Sequence, residues 1–409
     1  GKSWTAIAKG IPAGSYVNVV REDVTRRGLL YAGTETGVFV SFDDGDNWQP
    51  LQLNLPNCSI RDIDARHGDL VVATHGRSFW VLDDLSPLRQ LDAKTAAEDV
   101  VLFAPRAAVR LHPAGFQGTP EPKDEPMGEN PKSGAFLDYV LKAAAPGPLV
   151  LEILDAKGDV LRRFASDDAV RRPDASRLIT TPDWVAVAEP PSAAAGMHRF
   201  VWDLHEEPPT ELAAAGGRRA GIWCPPGRYT VRLTAAGKTL TQPLVVGKDP
   251  RLPASIADED LVRQHDLSRE IQAERVHVAA AQKQANNLRA QVEARRKESP
   301  AAAAALEALA KAVHRAAGEP AAPSDDDWEP EDAPTTLHGL AMSLAGLQSA
   351  VESADAAPTE DARAGFAVRK KMVEEGLARW RDVLATGKPK ADEALRRAGL
   401  EPLKADGLR

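Results

Sequence analysis

Residues 29–44, LLYAGTETGVFVSFDD, lie over residues 69–84, DLVVATHGRSFWVLDD, without a gap and at a constant offset of 40. Leu30 faces Leu70, Thr34 faces Thr74, Phe39 faces Phe79, and Asp43-Asp44 face Asp83-Asp84. Each stretch reads as two short apolar runs around a turn. The turns are Thr34-Glu-Thr-Gly37 and Thr74-His-Gly-Arg77, in which glycine supplies the positive φ. Working outward, residues 17–22, 29–33, 38–42 and 48–53 predict four strands of one unit, and 60–65, 69–74, 79–82 and 88–91 four strands of the next.

A period of ~40 residues holding four short strands is the mark of β-propeller blades. A second offset, 44, sets Gly1-Lys-Ser-Trp4 against Gly45-Asp-Asn-Trp48 and Ile11-Pro12 against Leu55-Pro56, which puts Trp4 on the outer strand of a preceding blade. Two blades and a remnant cannot close a ring, and they leave an unpaired strand edge. The expected partner of this segment is therefore a set of upstream blades, accompanied by an upstream export signal and a periplasmic or extracellular location.

The stretch Ser41-Phe-Asp-Asp-Gly-Asp-Asn-Trp48 resembles the Asp box of bacterial-neuraminidase-type repeats and sortilin-like propellers. In that hairpin Asp43 accepts backbone N–H bonds, Gly45 takes the strained turn and Trp48 packs the hairpin onto the blade. Asp83-Asp84 remain in the second unit without the Gly and Trp. A calcium loop at Asp43, Asp44 and Asp46 would need a downstream acidic ligand that is missing, so a structural turn without metal is expected. Glu35, His75 and Arg77 sit on the turns between second and third strands and are the candidate ligand-binding residues, with a solvated or bracing role as the plainer alternative.

Beyond 91 the pattern changes. Residues 100–105 and 109–112 read as connecting strands, and 113–133 as a Pro/Gly-rich loop. Strands then return at 136–142, 149–154, 160–165, 198–204, 228–234 and 240–246, enough for an Ig-like β-sandwich. LEILDAKG at 151–158 and PGRYTVRL at 226–233 resemble the Ig-like module of flagellar hook-capping proteins. Trp202 and Trp223 are either sugar-stacking or core residues. From 249 onward the chain is helical. Leu267, Ile271, Val278, Ala281, Ala285, Leu288 and Val292 form one apolar stripe; others start at Leu337 and Phe366. Ser255 and Asp258 are candidate N-caps of the first helix and Thr359 of the last. His265 and His277 lack the i, i+4 spacing of a metal pair and read as surface residues.

The fold class is thus multidomain, mainly β and then α. It comprises a partial β-propeller (1–95), connecting strands and loop (96–134), an Ig-like sandwich (135–248), and a helical bundle (249–409) with an acidic loop at 318–334. Cys58 and Cys224 read as free thiols, a disulfide between them being the other possibility. A net charge of −8 over 409 residues excludes a nucleic-acid surface, and no apolar run is long enough to span a membrane.

The order of modules resembles the C-terminal portion of bacterial proteins labelled glycosyl-hydrolase-like or sortilin-like, with residues 74–84 and FVWDL at 200–204 carrying the likeness. The resemblance implies a non-catalytic scaffold and binding segment with a peptide, protein or glycan in the propeller funnel, no cofactor, and self-association through the bundle. The alternative is part of a sialidase- or xyloglucanase-like glycosidase with catalytic groups mostly upstream, since two carboxylates must meet across the funnel.

Overall fold

The computed structural model describes residues 2–112, 128, 130–170, 172, 175–178, 181–185, 187–213, 221–318 and 335–404. The chain is mixed sheet and helix, with a curled half-barrel sheet and a C-terminal helical region. It divides into two compact units, Gly1–Leu204 with Gly227–Gly247 and His205–Pro226 with Lys248–Arg409.

The repeated stretches form antiparallel hairpins. β1 (Val17–Glu22), β2 (Leu30–Thr34), β3 (Val38–Ser41) and β4 (Gln49–Pro50) make a four-stranded sheet in that order. β5 (Ile60–Arg66), β6 (Asp69–Thr74) and β7 (Phe79–Leu82) make a three-stranded one. The register corrects the gapless alignment. Gly33 pairs with Val38 in the first sheet but Ala73 pairs with Phe79 in the second, so the second turn holds one residue more. Gly76 (φ +75°) and Ser78 (φ +64°) absorb it. The offset of 40 holds through β6 and becomes 41 in β7, and Phe79 is the equivalent of Val38, not of Phe39.

The two sheets face each other. Val19, Tyr31, Val38 and Val40 of the first share a buried core with Ile60, Ile63, Ala65, Leu70 and Val72 of the second. Each Val, Ile or Leu among them stabilises by ~1.5–3 kcal/mol on burial. At Gly33 a Cβ would come within 2.6 Å of Ile60 Cγ2 and 2.7 Å of Val19 Cγ1. The close approach of the sheets therefore requires glycine there. Gly33→Ala is expected to cost ~1–3 kcal/mol by overpacking, measured by urea unfolding; an unchanged midpoint would refute the close approach.

The predicted fourth strands are corrected. Residues 48–53 contribute only the two-residue β4, and 88–91 fall in and after a helix, α1 (Ser86–Gln90), followed by α2 (Ala93–Ala97). Asp84 Oδ1 accepts from Ser86 N at 3.0 Å and Pro87 stands in the first turn, both of which favour a helix start. Residues 2–16 carry no strand, so the expected outer strand at Trp4 is absent, and Trp4 is 92% exposed. This segment still crosses the first sheet, where Trp48 donates from N to Lys9 O (2.8 Å) and from Nε1 to Ile7 O (2.6 Å).

Two further sheets complete this unit. β8 (Val100–Leu102), β10 (Ala135–Leu141) and β13 (Gly196–Trp202) form one, ordered β13-β10-β8. β9 (Ala108–Arg110), β11 (Val150–Leu154), β12 (Val160–Ala165), β14 (Gly227–Ala235) and β15 (Lys238–Lys248) form the other, ordered β12-β11-β14-β15-β9. β8 and β9, read as connectors, are integral strands of these sheets. The rings of Phe164 and Phe200 lie 4.6 Å apart and those of Trp202 and Tyr229 5.7 Å apart, bringing the sheets together face to face. Most of the Pro/Gly-rich stretch 113–133 lies outside the described residues.

In the helical unit, α3 (Thr210–Ala213) precedes α4 (Asp258–Glu298), α5 (Ala303–Ala317), α6 (Leu337–Val351), α7 (Glu360–Asp382) and α8 (Lys388–Arg397), the last two joined by a π-helical turn, Val383–Gly387. The stripes from Leu267, Leu337 and Phe366 are buried together. Thr359 caps α7, accepting from Ala362 N at 3.1 Å. For α4 the cap position is Ala257 rather than Ser255 or Asp258, because Asp260 reaches back to accept the Ala257 N–H at 2.8 Å. The acidic stretch, save Gly318, lies outside the described residues. Cys58 and Cys224 are not disulfide-bonded. Among the described residues no helix is long and apolar enough to cross a membrane.

Candidate binding rim

β1 packs beside β5, so the turns that precede these strands and the turns that follow β2 and β6 share one end of the paired sheets. Glu35 sits at its centre. Its Oε1 accepts from Asn18 Nδ2 at 3.0 Å and Ser59 Oγ at 2.9 Å, with Arg61 Nη1 at 3.6 Å. Asn18, then Ser59 and Tyr16, hold the Glu35 carboxyl below the usual carboxylate range, while the bond to Glu35 pushes the Tyr16 hydroxyl up. Ser59 also ties in the second turn, its carbonyl accepting from His75 N at 2.8 Å.

The three sequence candidates therefore meet at one rim but divide by role. Glu35 is taken up as a brace between the sheets. His75 and Arg77 are exposed, on a turn shaped by backbone bonds: Arg77 N donates to Thr74 Oγ1 at 3.1 Å and Arg77 O accepts from Trp80 Nε1 at 2.9 Å. Neither the His75 ring nor the Arg77 guanidinium has a hydrogen-bond partner among the described residues. Tyr16 and Arg61 were missed. Tyr16 stands just ahead of β1 and is largely exposed; a Tyr directly after the Gly14-Ser15 turn signal was the available clue.

The Ser41–Trp48 hairpin is at the opposite end of β3. Asp43 Oδ1 accepts from Ser41 Oγ and Asn47 N (both 2.8 Å), and Oδ2 accepts from Asn47 Nδ2 at 2.7 Å. Asn47 thereby holds the Asp43 carboxyl below its ordinary range. Gly45 has φ +93°, and Trp48 is buried. Asp43→Ala is expected to cost ~1 kcal/mol, at the lower end for such a bond because the carboxylate is exposed. That stability is present above the unfolded pKa and is lost as pH falls through the lower folded one. Thermal melts from pH 7 to 3 check it; a variant deficit that does not shrink as pH falls would refute the carboxylate's role. Among the described residues no cluster of metal-ligating side chains exists.

A second polar cluster joins the β5–β7 sheet to β10 and β13. Arg199 pairs with Asp138 at 2.8 and 3.1 Å, donates to Asp83 O at 2.8 Å, and stacks over Phe136 at 4.5 Å. Burial raises the carboxyls of Asp83 and Asp138. In the helical unit His265 departs from its surface reading. Its side chain is 10% exposed and Nε2 lies 2.8 Å from Glu206 Oε1, with Arg269 on the other oxygen at 3.4 Å. His277 is exposed, as expected. Trp223 stacks with His205 at 4.2 Å, and Trp202 is fully buried.

Neither the family models nor the curated proteins compared with this chain contain a match.

Proposed function

We propose that this chain is the non-catalytic scaffold and binding portion of an exported β-propeller protein. In this reading β1–β4 and β5–β7 are successive blades, β8–β15 an Ig-like sandwich, and the helical region a bundle suited to self-association. The repeat supports it. In the first sheet Tyr31, Gly33, Val38 and Val40 share the face that packs on the second sheet. Their equivalents, Val71, Ala73, Phe79 and Val81, form an apolar face on which Phe79 is 73% and Val81 53% exposed. Such a face is built to receive another sheet of the same kind.

The ligand is a carboxylate-bearing peptide, protein or glycan at the rim. The observation that carries this is the pair of exposed, unpartnered side chains of His75 and Arg77 beside the braced Glu35. A guanidinium binds a carboxylate in bidentate fashion, and Tyr16 offers a flat face nearby. A glycosidase role has less support, because Glu35, held ionised by three donors, is poorly suited to act as a general acid.

Arrays of acidic and neutral peptides and glycans test this. Acidic members should be retained selectively, and Arg77→Ala should weaken that retention about tenfold or more, given ~1.5–3 kcal/mol for a charged hydrogen bond. The melting temperature should not change. Equal retention of neutral members, or an indifferent Arg77→Ala, would overturn the proposal.

A further inference from the structure

Among the described residues β7 presents an open strand edge. In the first sheet the equivalent strand, β3, is covered by β4 through the pairs Phe39↔Pro50 and Val40↔Gln49. In the second sheet the order ends at β7, and the chain that follows is diverted into α1. That diversion is anchored. Arg89 pairs with buried Asp23 at 3.0 Å, and Arg26 donates to the carbonyls of Leu88 (2.9 Å) and Leu91 (2.6 Å). The chain's own continuation is thus held away from the edge.

The ladder fixes which backbone groups point outward. Thr74 N donates to Ser78 O at 3.3 Å, and along the same register Val72↔Trp80 and Leu70↔Leu82 are the next pairs of that kind. Phe79 and Val81 occupy the alternate, non-hydrogen-bonded positions, so their N–H and C=O groups face away from β6. Side chains alternate as well. Trp80 and Leu82 line a cavity of ≈ 50 Å³ with Leu51, Leu53 and Leu55, which Val81 also borders, while the Phe79 and Val81 side chains are largely exposed. β7 carries no charge, proline or bulge of the kind that usually protects an edge, whereas β4 contains Pro50. Exposed Arg77 stands just before the strand.

We infer that β7 receives an extended peptide as an added strand, apolar at alternate residues and acidic at the end that passes Arg77. Main-chain bonds to Phe79 and Val81 hold it, the cavity beside Trp80 takes one small aliphatic side chain, and the guanidinium sets the charge preference. The inference rests on the rim reading only through Arg77.

The probe is the fluorescein-labelled peptide Glu-Val-Thr-Val-Thr-Val amide, titrated into the 409-residue chain and followed by anisotropy and amide hydrogen exchange. The amides of Phe79 and Val81 should slow on binding while those of Trp80 and Leu82 stay unchanged. Val81→Pro removes one outward N–H and no bond to β6. It should weaken binding at least tenfold without a change in melting temperature. A peptide N-methylated at its edge-facing amides should lose binding to the unaltered chain to the same degree, which tests the idea independently of the variant's folding. Absence of binding, full binding by the N-methylated peptide, or slow Phe79 and Val81 amides in a free chain that sediments as a dimer would each overturn the inference, the last by making a second copy the occupant. Arg77→Ala separates the two proposals. Loss of the preference for Glu over Gln in the probe, with Phe79 and Val81 still protected, supports both. An unchanged preference sinks the rim reading and the acidic end of the peptide with it, and leaves only the added strand standing.

Discussion

Arg89→Ala is expected to destabilise the paired sheets by about 3–5 kcal/mol, because it leaves the Asp23 carboxylate buried without its counter-ion. Asp23 accepts two bonds from Arg89 Nε, at 3.0 and 3.1 Å, one from Nη2 at 3.0 Å, and the amides of Thr25 and Arg26 at 2.9 and 2.8 Å. Burial alone would raise its carboxyl; Arg89 and these amides outweigh that and hold it below the ordinary range. The pair therefore stabilises the fold above the unfolded carboxyl pKa, near 3.9, and less as pH falls through the lower folded value. A chain of two units need not unfold in one transition, so the loss should be read from hydrogen exchange at β1 and β2 as well as from urea unfolding. The double variant Asp23→Ala/Arg89→Ala should lose less than the sum of the single changes. A loss below ~1 kcal/mol in Arg89→Ala would mean that this pair does not hold α1.

That same pair marks where the fold stopped being legible in the sequence. The hairpins announced themselves through alternating apolar residues and glycine turns, signals that act over a few neighbours. The fate of 88–91 turned on Asp23 and Arg26, more than 60 positions away by their bonds to Arg89 and Leu88. No local pattern distinguishes an Arg aimed at a buried carboxylate from one in solvent. The register slip has a similar cause. Thr34 and Thr74 align, but the turn after Thr74 closes on Ser78 and not on the residue equivalent to Gly37, and only the pairing of Ala73 with Phe79 discloses the extra residue.

The rim was legible in outline, because Glu35, His75 and Arg77 stand on repeated turns and the repeat itself brings them to one end. Their division into brace and open groups was not. It depends on Asn18 and Ser59, ordinary polar residues whose amide and hydroxyl become significant only once β1 and β5 are adjacent. His265 was hidden for the same reason, since its partner Glu206 is remote in the chain and acquires meaning only through packing.

Trp202→Ala should cost about 3–5 kcal/mol through the cavity left by a large aromatic side chain. Trp202 ends β13, is 0% exposed, and meets Tyr229 of the opposing sheet edge-to-face at 5.7 Å and 67°. Its carbonyl is closely approached by Gly134, where a Cβ would stand 2.2 Å from it and φ is +139°, so the backbone has little room to follow a shrinking side chain. The sugar-stacking alternative predicts the opposite pattern, since an exposed ring contributes to ligand retention and little to stability. Trp202→Phe keeps an aromatic face against Tyr229 and should recover more than half of the loss. Urea unfolding and glycan-array retention, measured on both variants, separate the readings. A stable Trp202→Ala chain that no longer retains its glycan would return this residue to a binding role, whereas a destabilised chain with unchanged retention makes it the aromatic pin between two sheets.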